Sequence, residues 1–355
     1  MDRRESPDHV KISTAAAMTL GLKHGLFYRN ARLYCINLLQ HYEDGCRANC
    51  AYCGLSRHRK IGHGKASFIR VEWPLEDLGV LIDRMRERTD RVKRICLSMI
   101  THPRAAQDAH RIVTRLRGAL DIPISVLLSP TVIDRNDLER MRGLGVDRVG
   151  IAVDGATPLV FDRYRGRAVG GPHVWDRYWD CFRDAVEVFG PGMCGSHLIV
   201  GLGETEREMV AAFFRTREFG GVTHLFSFFP ESGSALEDRS PPPMDQYRRM
   251  QLARYLIDEG FATRERFGFD DTGRLERIEI DQEVLEAVIT GGVPFRTSGC
   301  PGLDGEVACN RPYANSLPGD DIRNFPFAPT AEDLDLIRRQ FRVDDAVRTR
   351  PSHPQ

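Results

Sequence analysis

The hydrophobic and polar positions of this chain define two kinds of segment that follow one another in turn. Short runs rich in aliphatic and β-branched residues each precede a longer stretch in which apolar residues recur at helical spacing. The predicted strands are residues 33–40, 94–100, 123–129, 147–153, 195–201 and 222–229. The stretches with helical spacing include residues 75–89, 104–119, 134–143, 172–189, 204–219 and 244–259.

Several of the short runs are almost wholly apolar, as expected of strands buried on both faces of a parallel sheet. Six β/α units in sequence are typical of a (β/α) barrel or of a doubly wound sheet. Two weaker runs, at 275–280 and 293–297, would bring the number of units to eight. We therefore predict an α/β fold, a partial or complete TIM-type (β/α) barrel with six to eight units.

The pattern also divides the 355 residues into four parts. Residues 1–30 are predicted to be a helical extension, because 12–22 has the spacing of an amphipathic helix. The barrel core is predicted at 31–240, and a segment that completes the barrel at 241–342. Residues 343–355 are expected to form a flexible tail.

Charge and composition narrow the possible partners. Lys plus Arg and Asp plus Glu both number 50, so the net charge is zero, which argues against a surface-wide attraction to nucleic acid or acidic membranes. No run of about 18 apolar residues is present, and no membrane-spanning helix is expected. A core of this size does not need disulfides, so we expect a cytoplasmic protein with nine reduced cysteines.

Three of those cysteines lie close together directly after the first predicted strand. Cys46, Cys50 and Cys53 have the spacing Cys-x3-Cys-x2-Cys, at the strand end where barrel enzymes place their chemistry. Three thiolates on a [4Fe–4S] cluster leave one iron open to a substrate or cofactor, whereas four make an electron carrier. The alternative is a zinc site, for which nearby histidines are His41, His58 and His63.

With the aromatic Tyr52 before its last cysteine, this motif resembles the signature of the radical S-adenosylmethionine (SAM) enzymes. The resemblance implies a [4Fe–4S] cluster on Cys46, Cys50 and Cys53, whose open iron chelates the methionyl amine and carboxylate of SAM. It also implies reductive cleavage of SAM to a 5′-deoxyadenosyl radical, with the electron supplied by a ferredoxin- or flavodoxin-type protein.

Other cofactor contacts follow from the same resemblance. Many members carry Gly-Gly-Glu after the second strand to bind the methionyl amine, and this chain lacks it. Ser98 and Thr101 are candidates to replace it, and an ordinary strand end is the alternative for both. Asp154 matches the acidic residue that binds the ribose, and its alternative role is a turn. Arg165 is a candidate for the cofactor carboxylate, and its alternative is a solvated arginine at a helix end.

The glycines after the fifth strand complete this set. Gly201 and Gly203 match a segment in which the backbone passes close to the adenine of the cofactor. An ordinary turn is the alternative for both positions.

A second group of cysteines lies late in the chain. Cys300 and Cys309 occur in a segment rich in Gly, Pro and Asp, which predicts a loop. With Cys35 of the first predicted strand they offer three thiols to a second iron–sulfur cluster, and Ser298 is a candidate oxygen ligand. The alternatives are a redox disulfide between the late pair and core packing for Cys35. The remaining cysteines, predicted to be packing residues, are Cys96, Cys181 and Cys194.

Two segments narrow the resemblance to the biotin-synthase-related branch, which includes the two-component lipoyl synthases. These are residues 35–39 with the motif of 45–55, and Arg296-Thr-Ser-Gly-Cys-Pro with Cys309-Asn-Arg-Pro-Tyr. The late motif of that group usually reads Cys-Pro-x-Cys-Asn-Arg-Pro-Tyr-Tyr; here the cysteines lie further apart and Ala314 replaces the second Tyr.

This narrower resemblance implies a sulfurtransferase that inserts sulfur into a protein-bound octanoyl chain, with the second cluster as sulfur donor. The implied partners are an octanoylated carrier protein or peptide and a homologous second synthase subunit. One alternative is a radical enzyme that catalyses a rearrangement, a methylthiolation or a peptide modification. Another is a zinc-binding module without catalytic activity.

Overall fold

The structure, a computed structural model, describes residues 3–60, 68–311, 319 and 321–341. Its strands are β1 (His9–Ile12), β2 (Cys35–Gln40), β3 (Leu75–Asp77), β4 (Arg94–Ser98), β5 (Ile124–Leu128), β6 (Val146–Asp154), β7 (Cys194–Val200), β8 (Val222–Ser227), β9 (Phe267–Phe269) and β10 (Leu275–Ile278). Its helices are α1 (Thr14–Thr19), α2 (Leu78–Arg86), α3 (Ala105–Ala119), α4 (Arg135–Gly143), α5 (Pro158–Arg165), α6 (Trp175–Phe189), α7 (Glu206–Glu218), α8 (Met244–Asp258), α9 (Gln282–Gly291) and α10 (Ala331–Phe341).

Eight strands form one sheet in the order β3-β1-β2-β4-β5-β6-β7-β8. The six strands from β2 to β8 pair in parallel, and they are the six strands predicted from the apolar runs. Within the described residues the two ends of the sheet, β3 and β8, are not paired with each other, so this TIM-type barrel is partial. Every residue of β2 and β4 is buried, as expected of strands covered on both faces.

Helices follow the strands because their apolar residues recur on one face, and several of them begin with a side-chain cap. In α3 the buried positions include Ile112, Val113 and Leu116, the spacing of a stripe that packs against the sheet. The helix α7 begins with a capping box in which Thr205 and Glu208 satisfy each other's backbone N–H groups. The strands therefore direct their carboxyl ends toward one set of loops, where the candidate site lies.

The N-terminal extension differs from the predicted helical segment. It contains α1, but β1 precedes that helix and pairs antiparallel with both β2 and β3. Val10 and Ile12 are fully buried while His9 and Lys11 are partly exposed, which is the two-residue alternation of a strand with one covered face.

The prediction that residues 275–280 and 293–297 add two barrel units is wrong. The first run forms β10, which pairs with β9 in a separate two-stranded sheet. The second contains the 3₁₀-helix Val293–Phe295, since Pro294 has no N–H to contribute to a sheet. Among the residues that the structure describes, the barrel therefore has six parallel strands. The predicted tail 343–355 lies outside them.

Within the described ranges, none of the helices has the length and apolar character that crossing a membrane requires.

Candidate active site

A cleft of about 1260 Å³, including its open mouth, lies at the carboxyl ends of the parallel strands. This is the edge at which α/β barrels bind ligands. We call it the front cleft, and most of its lining is apolar. The residues from the sequence analysis that line it are Cys46, Cys50, Cys53, Tyr52, Ser98, Thr101, Asp154 and Arg165.

The loop that carries the first three cysteines is held against two other elements. Arg47 N donates to Thr101 O at 2.7 Å, and Ala51 N donates to Tyr164 O at 2.7 Å. The amide of Asn49 donates to Val169 O at 2.6 Å. These bonds fix the loop to the end of β4 and to the region of α5, so the cysteines cannot drift away from the cleft.

Cys50 is buried, and Cys46 and Cys53 of the same loop are partly buried. Burial raises the pKa of Cys46, that of Cys50 to about 12, and that of Cys53 well above its usual value. Neighbouring thiolates raise the pKa of Cys50 and Cys53 further, because like charges repel in a poorly solvated site. A multivalent iron cluster would relieve this repulsion when it displaces the protons.

The positions of these three cysteines suit a single zinc ion less well than an iron–sulfur cluster. Among the described residues, no three His, Cys, Asp or Glu side chains converge on one point as the ligands of a single ion do. A four-iron cluster is larger, and its ligands surround it rather than meet. Of the histidines considered for zinc, His58 contacts the amide of Asn49 at 3.3 Å, His41 is half-buried, and His63 lies outside the described residues.

Tyr52, Asp154 and Arg165 form one hydrogen-bonded network on the wall of the front cleft. The hydroxyl of Tyr52 donates to Asp154 Oδ2 at 2.5 Å, and Arg165 Nη1 donates to the same oxygen at 2.6 Å. Arg165 is only 5 % exposed and lies against the rings of Phe161 and Tyr178. The alternative of a solvated arginine is therefore wrong, and the arginine orients the carboxylate.

The backbone at Asp154 is unusual. Its φ is +63°, in the left-handed region that few non-glycine residues adopt. The register between β6 and β7 also shifts between Ala152 and Asp154, and such irregularities re-aim side chains near active sites. The carboxylate of Asp154 lines the cleft as a result, beyond the turn role considered for it.

Ser98 and Thr101 also line the cleft, and the Thr101 hydroxyl is 3.0 Å from the Ser129 hydroxyl. Gly201 and Gly203 are in the turn after β7 and are absent from the described lining of the cleft. Their φ values are +105° and +115°, and a Cβ on Gly201 would lie 2.8 Å from the Pro242 ring. Their position is that of turn glycines.

A second, smaller pocket of about 300 Å³ lies inside the barrel, below the front cleft. Cys96, Cys300 and Cys309 line it, and the fully buried Cys35 is in hydrogen-bond contact with Cys96 and Cys309. The amide of Asn37 donates to the sulfurs of Cys35 and Cys309, each at 3.5 Å. We call this group of four thiols and its surroundings the cysteine pocket.

The prediction that Cys96 is a packing residue missed this contact. In the parallel register Cys96 lies opposite Asn37 of the neighbouring strand, which contacts Cys35. A sequence signal was available: Cys96 lies two positions before Ser98, so both side chains face the same side of the strand. Cys96, Cys181 and Cys194 all belong to the hydrophobic core, as predicted.

The longer spacer between Cys300 and Cys309 does not separate them. A β-bridge joins Pro301 to Val307, and the N–H groups of Ala308 and Cys309 donate to Cys300 O at 3.0 and 3.1 Å. The spacer is thus a hairpin that returns to its start. All nine cysteines are free thiols, so no disulfide joins this pair. Tyr313 and Ala314 of the late motif lie outside the described residues.

Ser298 does not join the four thiols, since its hydroxyl accepts a hydrogen bond from Leu225 N at 2.9 Å. His224 is there instead, with Nε2 3.9 Å from the Cys300 sulfur. Its Nδ1 must donate to Ser298 O, 2.6 Å away, because a carbonyl only accepts. Burial lowers the pKa of His224 to about 4, so the ring is neutral. The imidazole ring of His224 also explains why residue 195 is a glycine, because a Cβ at Gly195 would lie 2.4 Å from that ring.

Arg311 lies between the two sites and lines both. Its Nε donates to the Cys309 sulfur at 3.2 Å, and its guanidinium carbon is 5.1 Å from the centre of the Phe226 ring. Leu127 and His197 are likewise shared by the front cleft and the cysteine pocket. The two sites are therefore neighbours inside one barrel.

Comparison with known proteins shows which family and relatives this chain is similar to. Residues 43–215 match the Radical SAM superfamily. Biotin synthase of Sulfurihydrogenibium sp. (strain YO3AOP1) is 21 % identical over 292 residues, which span 79 % of this chain and 80 % of the relative.

Two solved structures are similar at low identity. HydG, a maturase of the [FeFe]-hydrogenase, has a TM-score of 0.51 and 13 % identity, and covers 69 % of this chain and 53 % of its own. Methylornithine synthase (PylB) has a TM-score of 0.49 and 14 % identity, over 93 % of this chain and 86 % of its own. The likeness to HydG concerns the fold alone.

Proposed function

We infer the function from the premise that this chain is an enzyme of the radical SAM superfamily. We propose that it inserts sulfur into an unactivated carbon chain, and that its substrate is an octanoyl group on a carrier protein, as for a lipoyl synthase subunit. The observation that supports this proposal most is the cysteine pocket directly below the front cleft. The relation to a biotin synthase also supports sulfur chemistry.

In the front cleft, Cys46, Cys50 and Cys53 would hold a [4Fe–4S] cluster. When bound there, the cluster and SAM would supply a 5′-deoxyadenosyl radical, which abstracts hydrogen from a C–H bond that acid–base chemistry cannot attack. The chain's own task is to orient the cofactor. Asp154, held by Arg165, is suited to accept hydrogen bonds from the ribose.

The apolar lining of the front cleft supports an acyl chain as the substrate. Much of its wall consists of aliphatic and aromatic side chains, which bind an acyl chain without any charged partner. Those nearest the strand ends include Leu39, Ile100, Leu128, Ile199, Phe226 and Phe228. An octanoyl chain carried on a lysine has this apolar character along its length.

In the cysteine pocket, we propose that Cys35, Cys96, Cys300 and Cys309 hold a second iron–sulfur cluster, in which Cys96 extends the set predicted from sequence. A sulfide of that cluster would be the sulfur source. The residues shared by the pocket and the cleft support this proposal, since the acyl chain would not need to leave the barrel between hydrogen abstraction and sulfur addition.

The proposal includes three partners: an octanoylated carrier protein or peptide, a homologous second synthase subunit, and a ferredoxin- or flavodoxin-type reductant. The zero net charge is compatible with them, since an acyl carrier and a small cofactor need no broadly basic surface.

The test is anaerobic incubation of the reconstituted, reduced enzyme with SAM and an octanoyl-lysine peptide, with and without the sister subunit. Mass spectrometry should detect sulfur added to the peptide together with 5′-deoxyadenosine. Cys300→Ala should retain SAM cleavage and lose sulfur addition. Cleavage of SAM without sulfur addition by the wild type would contradict the proposal and favour a radical reaction of another type.

A further inference from the structure

A third cavity, of about 840 Å³, lies at the amino-terminal ends of the parallel strands. It is formed by the beginnings of β6 and β8, the end of α8 and the segment 293–301. Its wall shares His224, Gly299 and Cys300 with the cysteine pocket. We call it the rear cavity, because it reaches Cys300 from the side opposite the front cleft.

Three buried polar atoms of the rear cavity have no hydrogen-bond partner within the part of the chain that the structure describes. They are Thr223 Oγ1, Arg254 Nε and Asp258 Oδ1. Thr223 is 1 % exposed, and the side chain of Asp258 is 6 % exposed. An unsatisfied buried polar group destabilises the fold, and folded proteins keep few of them. Three around one cavity indicate a bound ligand that supplies the missing partners.

The chemistry of the three groups restricts that ligand. Thr223 and Arg254 present hydrogen-bond donors, while Asp258 presents an acceptor. The arginines of the lining, Arg148, Arg254 and Arg296, outnumber the carboxylates, Asp258 and Glu259. A small anion that also donates one hydrogen bond satisfies all of these groups.

Two further observations narrow the choice. The lining includes the Cys300 thiol, so an anion bound in the rear cavity lies beside the cysteine pocket. Burial raises the pKa of Asp258 to about 6, so its carboxylate remains largely ionised at neutral pH and accepts a hydrogen bond.

We propose that the rear cavity is a binding site for hydrosulfide, beside Cys300. The identity of the anion rests on the proposed function, because an enzyme that consumes sulfide from a cluster in the cysteine pocket needs a route by which sulfide reaches that pocket. The rear cavity provides such a route while the acyl chain and SAM occupy the front cleft.

Isothermal titration of the reduced, metal-free, full-length protein with sodium hydrosulfide, under strict exclusion of oxygen, tests the site. One binding site is expected in the wild type, weakened about tenfold or more by Thr223→Val and by Asp258→Asn. Thr216→Val is the matched control, a fully buried threonine outside the cavity, and should leave the affinity unchanged. Absence of binding, or equal affinity in all four proteins, would overturn the proposal.

Two further arms keep the outcomes distinct. Inorganic phosphate is titrated in parallel, and tighter binding of phosphate than of hydrosulfide would overturn the assignment of the anion. Sulfur insertion is measured separately: hydrosulfide binding without sulfur insertion would refute the proposed function and support the site, and the reverse result would refute the site alone.

Discussion

The substitution Gly299→Ala tests whether the cysteine pocket is built for a cluster. An ideal Cβ on Gly299 would lie 2.0 Å from the carbonyl oxygen and 2.8 Å from the carbonyl carbon of Cys309. Unbonded carbon and oxygen atoms stay about 3.3 Å or more apart, so the two backbone segments must separate by about 1.3 Å. Cys300 follows Gly299 directly and moves with it.

The fold and the cluster respond differently to a shift of that size. An overpacked site of this kind costs about 1–3 kcal/mol, less than the 5–15 kcal/mol by which folded domains are usually stable. Metal–ligand distances tolerate only about 0.2 Å. We therefore expect a folded protein that retains the cluster of the front cleft and loses the second one.

The assay compares iron content and thermal unfolding after anaerobic reconstitution. Iron should fall from about eight to about four atoms per chain, with SAM cleavage retained. Gly291→Ala is the control, since a Cβ there meets nothing within 4 Å. Full iron content in Gly299→Ala would refute the reasoning, and so would loss of all iron from a folded protein, because the two sites would then not be separable.

Three further substitutions have defined outcomes. Asp154→Asn should weaken SAM binding about tenfold, measured by calorimetry, and unchanged affinity would exclude Asp154 from the cofactor site. The carboxylate of Glu204 accepts a hydrogen bond from Gly201 N, and burial raises the pKa of Glu204 from 4.5 to about 7. The unfolded chain therefore ionises first, and the fold loses stability as pH rises through that interval. Between pH 5 and pH 8, Glu204→Gln should therefore gain about 2–3 kcal/mol over the wild type in urea unfolding of the metal-free protein, and equal pH profiles would contradict this. Glu206→Ala leaves Arg249 buried and poorly paired, and should cost about 3–5 kcal/mol in the same assay; a loss below 1 kcal/mol would contradict it.

The barrel could be predicted because a strand that is buried on both faces consists almost wholly of apolar residues, and such runs are visible in the sequence. The predicted strands 94–100 and 195–201 match β4 (Arg94–Ser98) and β7 (Cys194–Val200) to within two residues at each end. The same logic failed for 293–297, where an apolar run contains Pro294 and folds as a 3₁₀-helix. Apolar residues indicate that a segment is buried. Whether that segment is a strand or a helix depends on the hydrogen bonds that its backbone can make.

The candidate site, too, could be predicted from the sequence only in part. The motif of Cys46, Cys50 and Cys53 is local, so its spacing alone indicates a cluster. Cys96 and His224 come together with Cys300 only through the pairing of strands distant in sequence. Ser298 seemed equivalent to its neighbour Cys300, but a hydrogen bond from β8 holds its hydroxyl away from the pocket. Sequence identifies the ligand types, and the register of the strands decides which of them meet.

The proposed function depends most on the cysteine pocket as the source of the inserted sulfur. The direct measurement is a single turnover with enzyme reconstituted using ³⁴S-sulfide, followed by mass spectrometry of the octanoyl-lysine peptide. The inserted sulfur should carry the ³⁴S label, and Cys300→Ala should yield no labelled peptide. Inserted sulfur without the label, or a labelled product from Cys300→Ala, would contradict the proposed function.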